Sequence, residues 1–229
     1  MHVDNAQTLI QVLQLADSAF PSGSFTCSWG VEACVQRGLI HDRATTVAMI
    51  QQSLVGAVGT IEGPAVVRAA RCARDTDSAG LLKLSALLDS YAPAAASRVA
   101  SRRVGRRFLQ AALLLCPDLP PHLAALAKII DGVHHVCAVG ALGAALRLPE
   151  HVIVTVYLTS WCGAQVQAAA RLIPLGQRDA LTALAELRPA VTTAILRAQT
   201  TRLGRATATP LSDVGRYVQP HLERRLFVC

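Results

Sequence analysis

The chain has 229 residues and a mass of 24.2 kDa, which is enough for one large domain with its own core. Hydrophobic residues make up 52% and aromatic residues only 4%, so the core must consist mainly of Ala, Leu and Val, as in close helix packing rather than a β-rich fold. The formal charge of +7 allows a nucleic acid, an acidic membrane or an acidic protein as partner, but only two of the 22 basic residues are Lys, and a genomic preference for Arg explains the charge equally well.

Apolar residues recur at helical spacing from Leu9 to Ala16, and the pattern stops at a loop containing Pro21 and Gly23. Ser28 and then Asp42 have the side chains preferred at helix N-termini, and each is predicted to cap a helix. Glycines interrupt the helix that follows Asp42. Further helices are predicted at 64–74, 78–91, 94–115, 121–131, 133–147, 150–172, 177–187 and 190–203, giving an all-α domain of about ten helices over residues 1–229.

The β-branched run VIVTVY at 152–157 is the one segment with strand propensity. A lone strand would lack a pairing partner, and the residues after it continue at helical period. We therefore predict one buried helix over 150–172.

The seven cysteines are scattered and lie mostly in apolar helical patterns, which favours reduced thiols in a cytoplasmic protein. The polar start of the sequence does not resemble an export signal. The apolar region 123–146 carries Lys128, Asp131 and two histidines, so we expect no membrane-spanning helix and no membrane partner.

Motifs of catalysis are absent: the sequence has no phosphate-binding loop, no dinucleotide fingerprint and no zinc-protease or nucleophile-elbow motif. We expect no enzymatic activity and no cofactor. The nearest approach to a metal site is His134, His135 and Cys137, which places two soft ligands on one helical face. Packed core residues are the alternative interpretation, since two ligands do not complete a site.

The basic segment SRVASRRVGRRF at 97–108 carries Arg98, Arg102 and Arg106 at helical i, i+4 spacing beside a stripe of Ser and Gly. No aromatic residues lie between the arginines, so we expect no nucleic-acid partner. The small stripe allows another helix to approach closely, with arginines at its flank to bind carboxylates of that neighbour. A solvated charged face is the alternative.

The last 25 residues are polar and contain prolines, and they end in apolar residues next to charged ones. This composition is typical of a docking tail, which we place at about 205–229.

Five segments in order resemble the urease accessory protein UreF family. They are LQLADSAFPSGSFTCSWGVEACVQRGLI, SRVASRRVGRRFL, HHVCAVGALGAALRLP, VYLTSWCGAQVQAAARLIPLGQ and RRLFVC. The resemblance covers nearly the whole chain.

The resemblance implies an all-helical, non-catalytic assembly factor for the nickel enzyme urease. Such a protein forms a homodimer and bridges a UreD/UreH-type scaffold protein, which contacts apo-urease, to the GTPase UreG. It also implies that the loop and the tail are recognition surfaces. The contact residues predicted from it are Phe25, Ser28, Glu32, Arg98, Arg102, Arg106, Arg225, Leu226 and Phe227.

The chain departs from the common family pattern at positions that bear on partner contacts, namely Ser24, Cys27, Ala96, Gln219 and Pro220. Two other functions stay open at this point. One is a nickel-binding metallochaperone that uses His134, His135 and Cys137, and the other, suggested by charge alone, is a basic helical protein that binds nucleic acid.

Overall fold

The computed structural model describes residues 6–92, 94–203 and 209–229, and all regular structure within these ranges is helical. The prediction of an all-α fold of about ten helices is confirmed. The helices are α1 (Ala6–Ala16), α2 (Val31–Gln36), α3 (Arg43–Ser53), α4 (Gly63–Arg74), α5 (Ser78–Tyr91), α6 (Ala95–Leu115), α7 (Pro121–Ala127), α8 (His135–Ala145), α9 (Glu150–Leu172), α10 (Gln177–Thr200) and α11 (Pro210–Val218). A π-helical segment (Leu54–Glu62) joins α3 to α4, and short 3-10 turns lie at Ser24–Thr26 and Gln219–His221.

Helix α8 lies at the centre of the fold and is buried on every side from Val136 to Ala144. Its closest neighbour is α4. A Cβ atom at Gly140 would lie 2.5 Å from the Val66 carbonyl oxygen and 2.6 Å from the Ala69 Cβ, so only glycine allows this approach. The large core that surrounds the pair runs from Val12 in α1 to Ala198 in α10 and consists mainly of Ala, Leu and Val, as the composition predicts.

The β-branched run lies inside α9, as predicted. Val152, Ile153 and Val154 are all buried there, so tertiary packing outweighs their strand propensity. The predicted cap at Asp42 is also present, since its side chain accepts a hydrogen bond from the Thr45 amide at 2.8 Å.

The prediction of separate helices at 177–187 and 190–203 is wrong, because α10 continues through Pro189. Proline has no amide hydrogen to donate to the carbonyl of Ala185. Both residues are exposed, so water can satisfy that carbonyl. Leu187 and Ala190 on the opposite face stay buried, and their packing holds the helix together across the proline.

The predicted interruption at the glycines after α3 is confirmed at Gly56. Its backbone is not helical, with ψ at −128°, and the chain kinks there between the two ends of a helical run that extends from Arg43 to Arg74. This helical run is long and apolar enough to cross a membrane. However, 56% of its apolar 18-residue stretch is buried inside the fold, as expected for a core helix. The remaining predicted helices match the structure apart from a few residues at their ends.

Candidate partner-binding surface

The loop after α1 and the C-terminal tail, which are far apart in sequence, form one structure. We call residues 22–32 and 209–229 together the loop–tail surface; the first residues of the predicted tail, 205–208, lie outside the described ranges. Helix α2 begins after Gly30 rather than after Ser28, which corrects the predicted cap. Ser28 still contributes, since its hydroxyl accepts a hydrogen bond from the Glu32 amide at 3.4 Å.

A sharp turn brings the loop against α11. Trp29 and Gly30 both have positive φ, at 53° and 94°. A Cβ at Gly30 would lie 2.6 Å from the Arg216 amide nitrogen, and one at Gly215 would lie 2.6 Å from the Gly30 carbonyl oxygen. The two glycines therefore allow main chain to pack directly on main chain, and a side chain at either position would separate the loop from the tail.

Glu32 is the buried anchor of the tail, with only 2% of its surface exposed. Its carboxylate accepts hydrogen bonds from the Gln219 side-chain amide at 2.5 Å, from the Leu226 main-chain amide at 2.6 Å and from the Phe227 main-chain amide at 3.1 Å. The Gln219 side chain also accepts a hydrogen bond from the Ala33 amide at 3.1 Å. Gln219, one of the departures from the family pattern, thus links α2 to the tail.

The end of the tail pairs with the loop through main-chain hydrogen bonds. The Val228 amide donates to the Thr26 carbonyl at 2.8 Å, and the Cys229 main-chain oxygen accepts from the amides of Ser28 at 2.5 Å and Trp29 at 3.1 Å. The Ser28 hydroxyl donates to the same oxygen at 3.1 Å. Ser28 is fully buried, so its observed role is to hold the tail.

Arg171, at the end of α9, contacts both the loop and the tail. Its guanidinium lies 3.7 Å from the ring centroid of Phe25 and 4.4 Å from that of Phe227, and it donates a hydrogen bond to the Phe25 carbonyl at 3.1 Å. Partial burial lowers the pKa of this arginine. Arg171 was not among the predicted contact residues, although it lies in the family-like segment VYLTSWCGAQVQAAARLIPLGQ; the available signal was a basic residue in the last turn of a helix.

The outer face of the loop–tail surface exposes three apolar side chains beside charged ones. Phe25 is 61% exposed, Leu226 is 65% exposed and Val228 is 48% exposed, and Arg225 next to them is also exposed. Phe227, by contrast, is buried against α9. Of the six predicted contact residues in this region, Phe25, Arg225 and Leu226 therefore face solvent, whereas Ser28, Glu32 and Phe227 hold the segment in place.

The arginine stripe of α6 consists of Arg98, Arg102 and Arg106. All three side chains donate hydrogen bonds to other residues of the same chain. Arg98 and Arg106 donate to the carbonyls of Ala92 and Ile130. Arg102 donates to both carboxylate oxygens of Asp89, at 3.3 Å and 2.5 Å. The small stripe does allow a close approach, as its pattern predicts, but the neighbour is α8 of the same chain. Contact between these arginines and a partner stays a prediction.

Asp89 also accepts a hydrogen bond from His134, whose Nε2 lies 2.9 Å from its carboxylate. The other ring nitrogen of His134 lies 3.0 Å from the Ser101 hydroxyl. Burial lowers the pKa of His134. Burial works to raise the pKa of Asp89, but the hydrogen bonds from Arg102 and His134 outweigh it and lower that pKa.

The candidate metal residues do not converge. Both ring nitrogens of His134 have partners, and the His135 ring packs edge-on against Phe108 with its centroid 5.2 Å away. Burial lowers the pKa of His135 to about 4 and raises that of Cys137 to about 12. Within residues 6–92, 94–203 and 209–229, no three His, Cys, Asp or Glu side chains are grouped so as to hold a metal ion.

A cavity of about 560 Å³ lies beneath the loop, between α8 and α9. His135 forms part of its wall, and Tyr157 donates a hydrogen bond to Glu62 at 2.5 Å beside it. Burial and the neighbouring Glu62 carboxylate raise the pKa of Tyr157 well above its ordinary value.

Comparisons with known proteins identify the family of the chain. Residues 40–188 match the UreF family model, so the loop–tail surface lies outside the matched range. The urease accessory protein UreF of Rhodopseudomonas palustris strain BisA53 is 30% identical over 92% of this chain and 84% of its own length. The UreF protein of Azoarcus sp. strain BH72 is 32% identical over 83% of this chain and 82% of its own.

A third relative, the bifunctional urease accessory protein UreEF of Bordetella bronchiseptica, is 29% identical over 90% of this chain, which covers 46% of that longer protein. These matches agree with the resemblance seen in the sequence, and they do so over most of the chain. The chain belongs to the UreF family of urease accessory proteins.

Proposed function

We propose that this protein is a cytoplasmic, non-catalytic assembly factor that bridges a UreD/UreH-type scaffold protein to the GTPase UreG during nickel insertion into apo-urease. Family membership supports the role in urease maturation. The fused relative named UreEF supports association with other accessory proteins, because two accessory functions share one chain there. Nickel is the cargo of the assembly and needs no ligand in this chain.

The loop–tail surface is the docking site that we propose for the UreD/UreH-type protein, and the observation that carries the proposal is its outer face. Phe25, Leu226 and Val228 expose apolar side chains on main chain that hydrogen bonds already hold in place. A preordered segment loses little conformational entropy on binding, so more of the contact energy appears as affinity. Exposed aromatic and aliphatic anchors beside an arginine are typical of protein interfaces.

The bridging role requires no reacting side chain. A scaffold that binds the GTP-bound, metal-loaded form of its partner more tightly than the GDP-bound form raises the population of the first form. Hydrolysis then reverses the preference and releases the partner. We place this activity in a homodimer, which presents two copies of the loop–tail surface.

Size-exclusion chromatography with light scattering tests the proposal directly. The protein is mixed with the UreD/UreH-type and UreG-type proteins from the same source, together with a GTP analogue and nickel. We expect one co-eluting complex whose mass corresponds to a dimer of this chain with both partners. Separate elution of well-folded components would contradict the bridging role.

A further inference from the structure

The loop–tail surface contains a pair of buried thiols that its partner-binding role does not use. Cys27 is 2% exposed and Cys229 is 3% exposed, and the two pack together against Ala100 and Val104 of α6. The two side chains belong to the same small buried cluster. Both are free thiols in the structure.

Main-chain hydrogen bonds hold the segments that carry the two cysteines side by side. Hydrogen bonds hold the tail to the loop on both sides of Cys27, from Val228 to Thr26 at 2.8 Å and from Ser28 to Cys229 at 2.5 Å. A disulfide spans Cα atoms about 4.4–6.8 Å apart, so it requires two segments in direct contact, as these main-chain hydrogen bonds hold the loop and the tail.

We propose that Cys27 and Cys229 are a redox-active pair that hydrogen peroxide oxidises to a reversible disulfide, fastening the tail covalently to the loop. The pairing needs no partner protein, so it stands independently of the proposed bridging function. Disulfides in reducing compartments are usually transient and catalytic or redox-sensing.

The two cysteines differ in a way that assigns their roles. The hydrogen bond from Cys229, with further help from Thr26 and Arg103, lowers the pKa of Cys27, whereas that hydrogen bond and burial raise the pKa of Cys229. The thiolate is the nucleophile, so Cys27 attacks first and Cys229 resolves the product.

In the first step the Cys27 thiolate attacks one oxygen of hydrogen peroxide, the O–O bond breaks, and the leaving oxygen takes up a proton and departs as water. Cys27 is now a sulfenic acid. The Cys229 sulfur then attacks the Cys27 sulfur, and the sulfenic hydroxyl leaves as a second water with the Cys229 proton. Two thiols have lost two electrons and two protons, and peroxide has been reduced to two waters.

Thiol counting and peptide mapping of the full-length protein test this proposal. After mild peroxide treatment, denatured protein is expected to show two fewer of its seven thiols, and mass spectrometry without reductant is expected to find the Cys27 and Cys229 peptides joined. The cross-link closes a very long loop, so Tm should rise by about 10 °C and return when dithiothreitol is added.

Three variants complete the design. Cys27→Ser and Cys229→Ser should each abolish the cross-link and the rise in Tm, whereas Cys72→Ser, at a more exposed cysteine of α4, should leave both unchanged. If a variant fails to fold, peptide mapping of the oxidised wild-type protein still decides whether Cys27 and Cys229 are joined. Oxidation of Cys27 to sulfinic acid without a cross-link, or a disulfide between other cysteines, would overturn the proposal.

Discussion

The loop–tail surface and the arginine stripe of α6 are both family-like segments, yet they present different chemistry to solvent. In the loop–tail surface the carboxylate of Glu32 turns inward and binds the tail, while Phe25 and Leu226 face outward. In α6 the arginines themselves turn to neighbouring elements, and Arg102 binds Asp89. One segment keeps free apolar side chains, and the other uses its charges to fasten helices together.

The difference teaches that a charged motif does not by itself identify an interface. What matters is whether the chain already supplies a partner for the side chain. Arg102 has its carboxylate within the fold, and satisfied pairs of this kind add structure more than recognition. Leu226 is 65% exposed and offers surface to another molecule. Substitutions at Glu32, Asp89 and Phe25 test this contrast, and the pH dependence through His135 tests the core beside it, from the largest expected effect to the smallest.

Replacing the tail anchor should have the largest effect. Glu32→Ala removes a buried acceptor of three hydrogen bonds, so the free energy of unfolding should fall by about 4 kcal/mol in urea titrations. The tail should also become sensitive to limited proteolysis. Glu223→Ala, an exposed residue of the same tail, is the matched control and should change stability by less than about 0.5 kcal/mol. A similar result for both variants would mean that Glu32 does not hold the tail.

Removing the carboxylate of Asp89, which binds the arginine stripe, should lower the free energy of unfolding by a smaller amount, because the Asp89 side chain is partly exposed. Asp89→Asn leaves Arg102 and His134 without their carboxylate, and we expect a loss of about 2 kcal/mol by chemical denaturation. Asp118→Asn, in the exposed turn after α6, serves as control and should be close to neutral. If Asp89→Asn leaves the free energy of unfolding unchanged, the arginine stripe is a solvated charged face that does not stabilise the fold.

Acid should destabilise the fold through His135, whose pKa falls from 6.5 to about 4 on burial. Between these two pKa values, His135 is protonated in the unfolded chain but not in the folded chain. Stability is therefore lost as pH falls below about 6.5. Between pH 7.5 and pH 5.0 this residue should contribute a loss of about 2 kcal/mol.

The measurement for His135 is the difference in pH dependence between the wild type and His135→Gln, obtained from urea titrations at both pH values. The Gln variant lacks this proton uptake, so its stability should fall less over the same interval. Equal pH dependence in the two proteins would show that His135 titrates normally in the fold.

The smallest effect is expected at the stacked arginine. Phe25→Leu removes one of the two rings beside Arg171 and should cost about 0.5–1 kcal/mol, because the site is partly exposed. Phe25→Tyr keeps an aromatic face and should behave like the wild type. If Leu and Tyr are equivalent in thermal unfolding, the stacking does not contribute to joining loop and tail.

Much of the fold could be predicted from the sequence, because helical period and caps such as Asp42 act locally. The continuity of α10 could not be predicted from the sequence, because the burial of Leu187 and Ala190 on both sides of Pro189 is a tertiary effect. The same limit applies to the surface. The resemblance predicts Phe25 and Leu226 as contact residues, but the inward direction of Glu32 and the role of Arg171 depend on contacts between distant segments.

The most direct test of the proposed interface is the dissociation constant for the UreD/UreH-type protein, measured by isothermal titration calorimetry with two matched variants. Leu226→Gln changes an exposed leucine of the loop–tail surface, and Leu181→Gln changes a leucine of α10 with nearly equal exposure, 68% against 65%. We predict about tenfold weaker binding for Leu226→Gln and less than about twofold for Leu181→Gln. Wild-type affinity in Leu226→Gln, or an equal loss in both variants, would contradict the assignment of this surface.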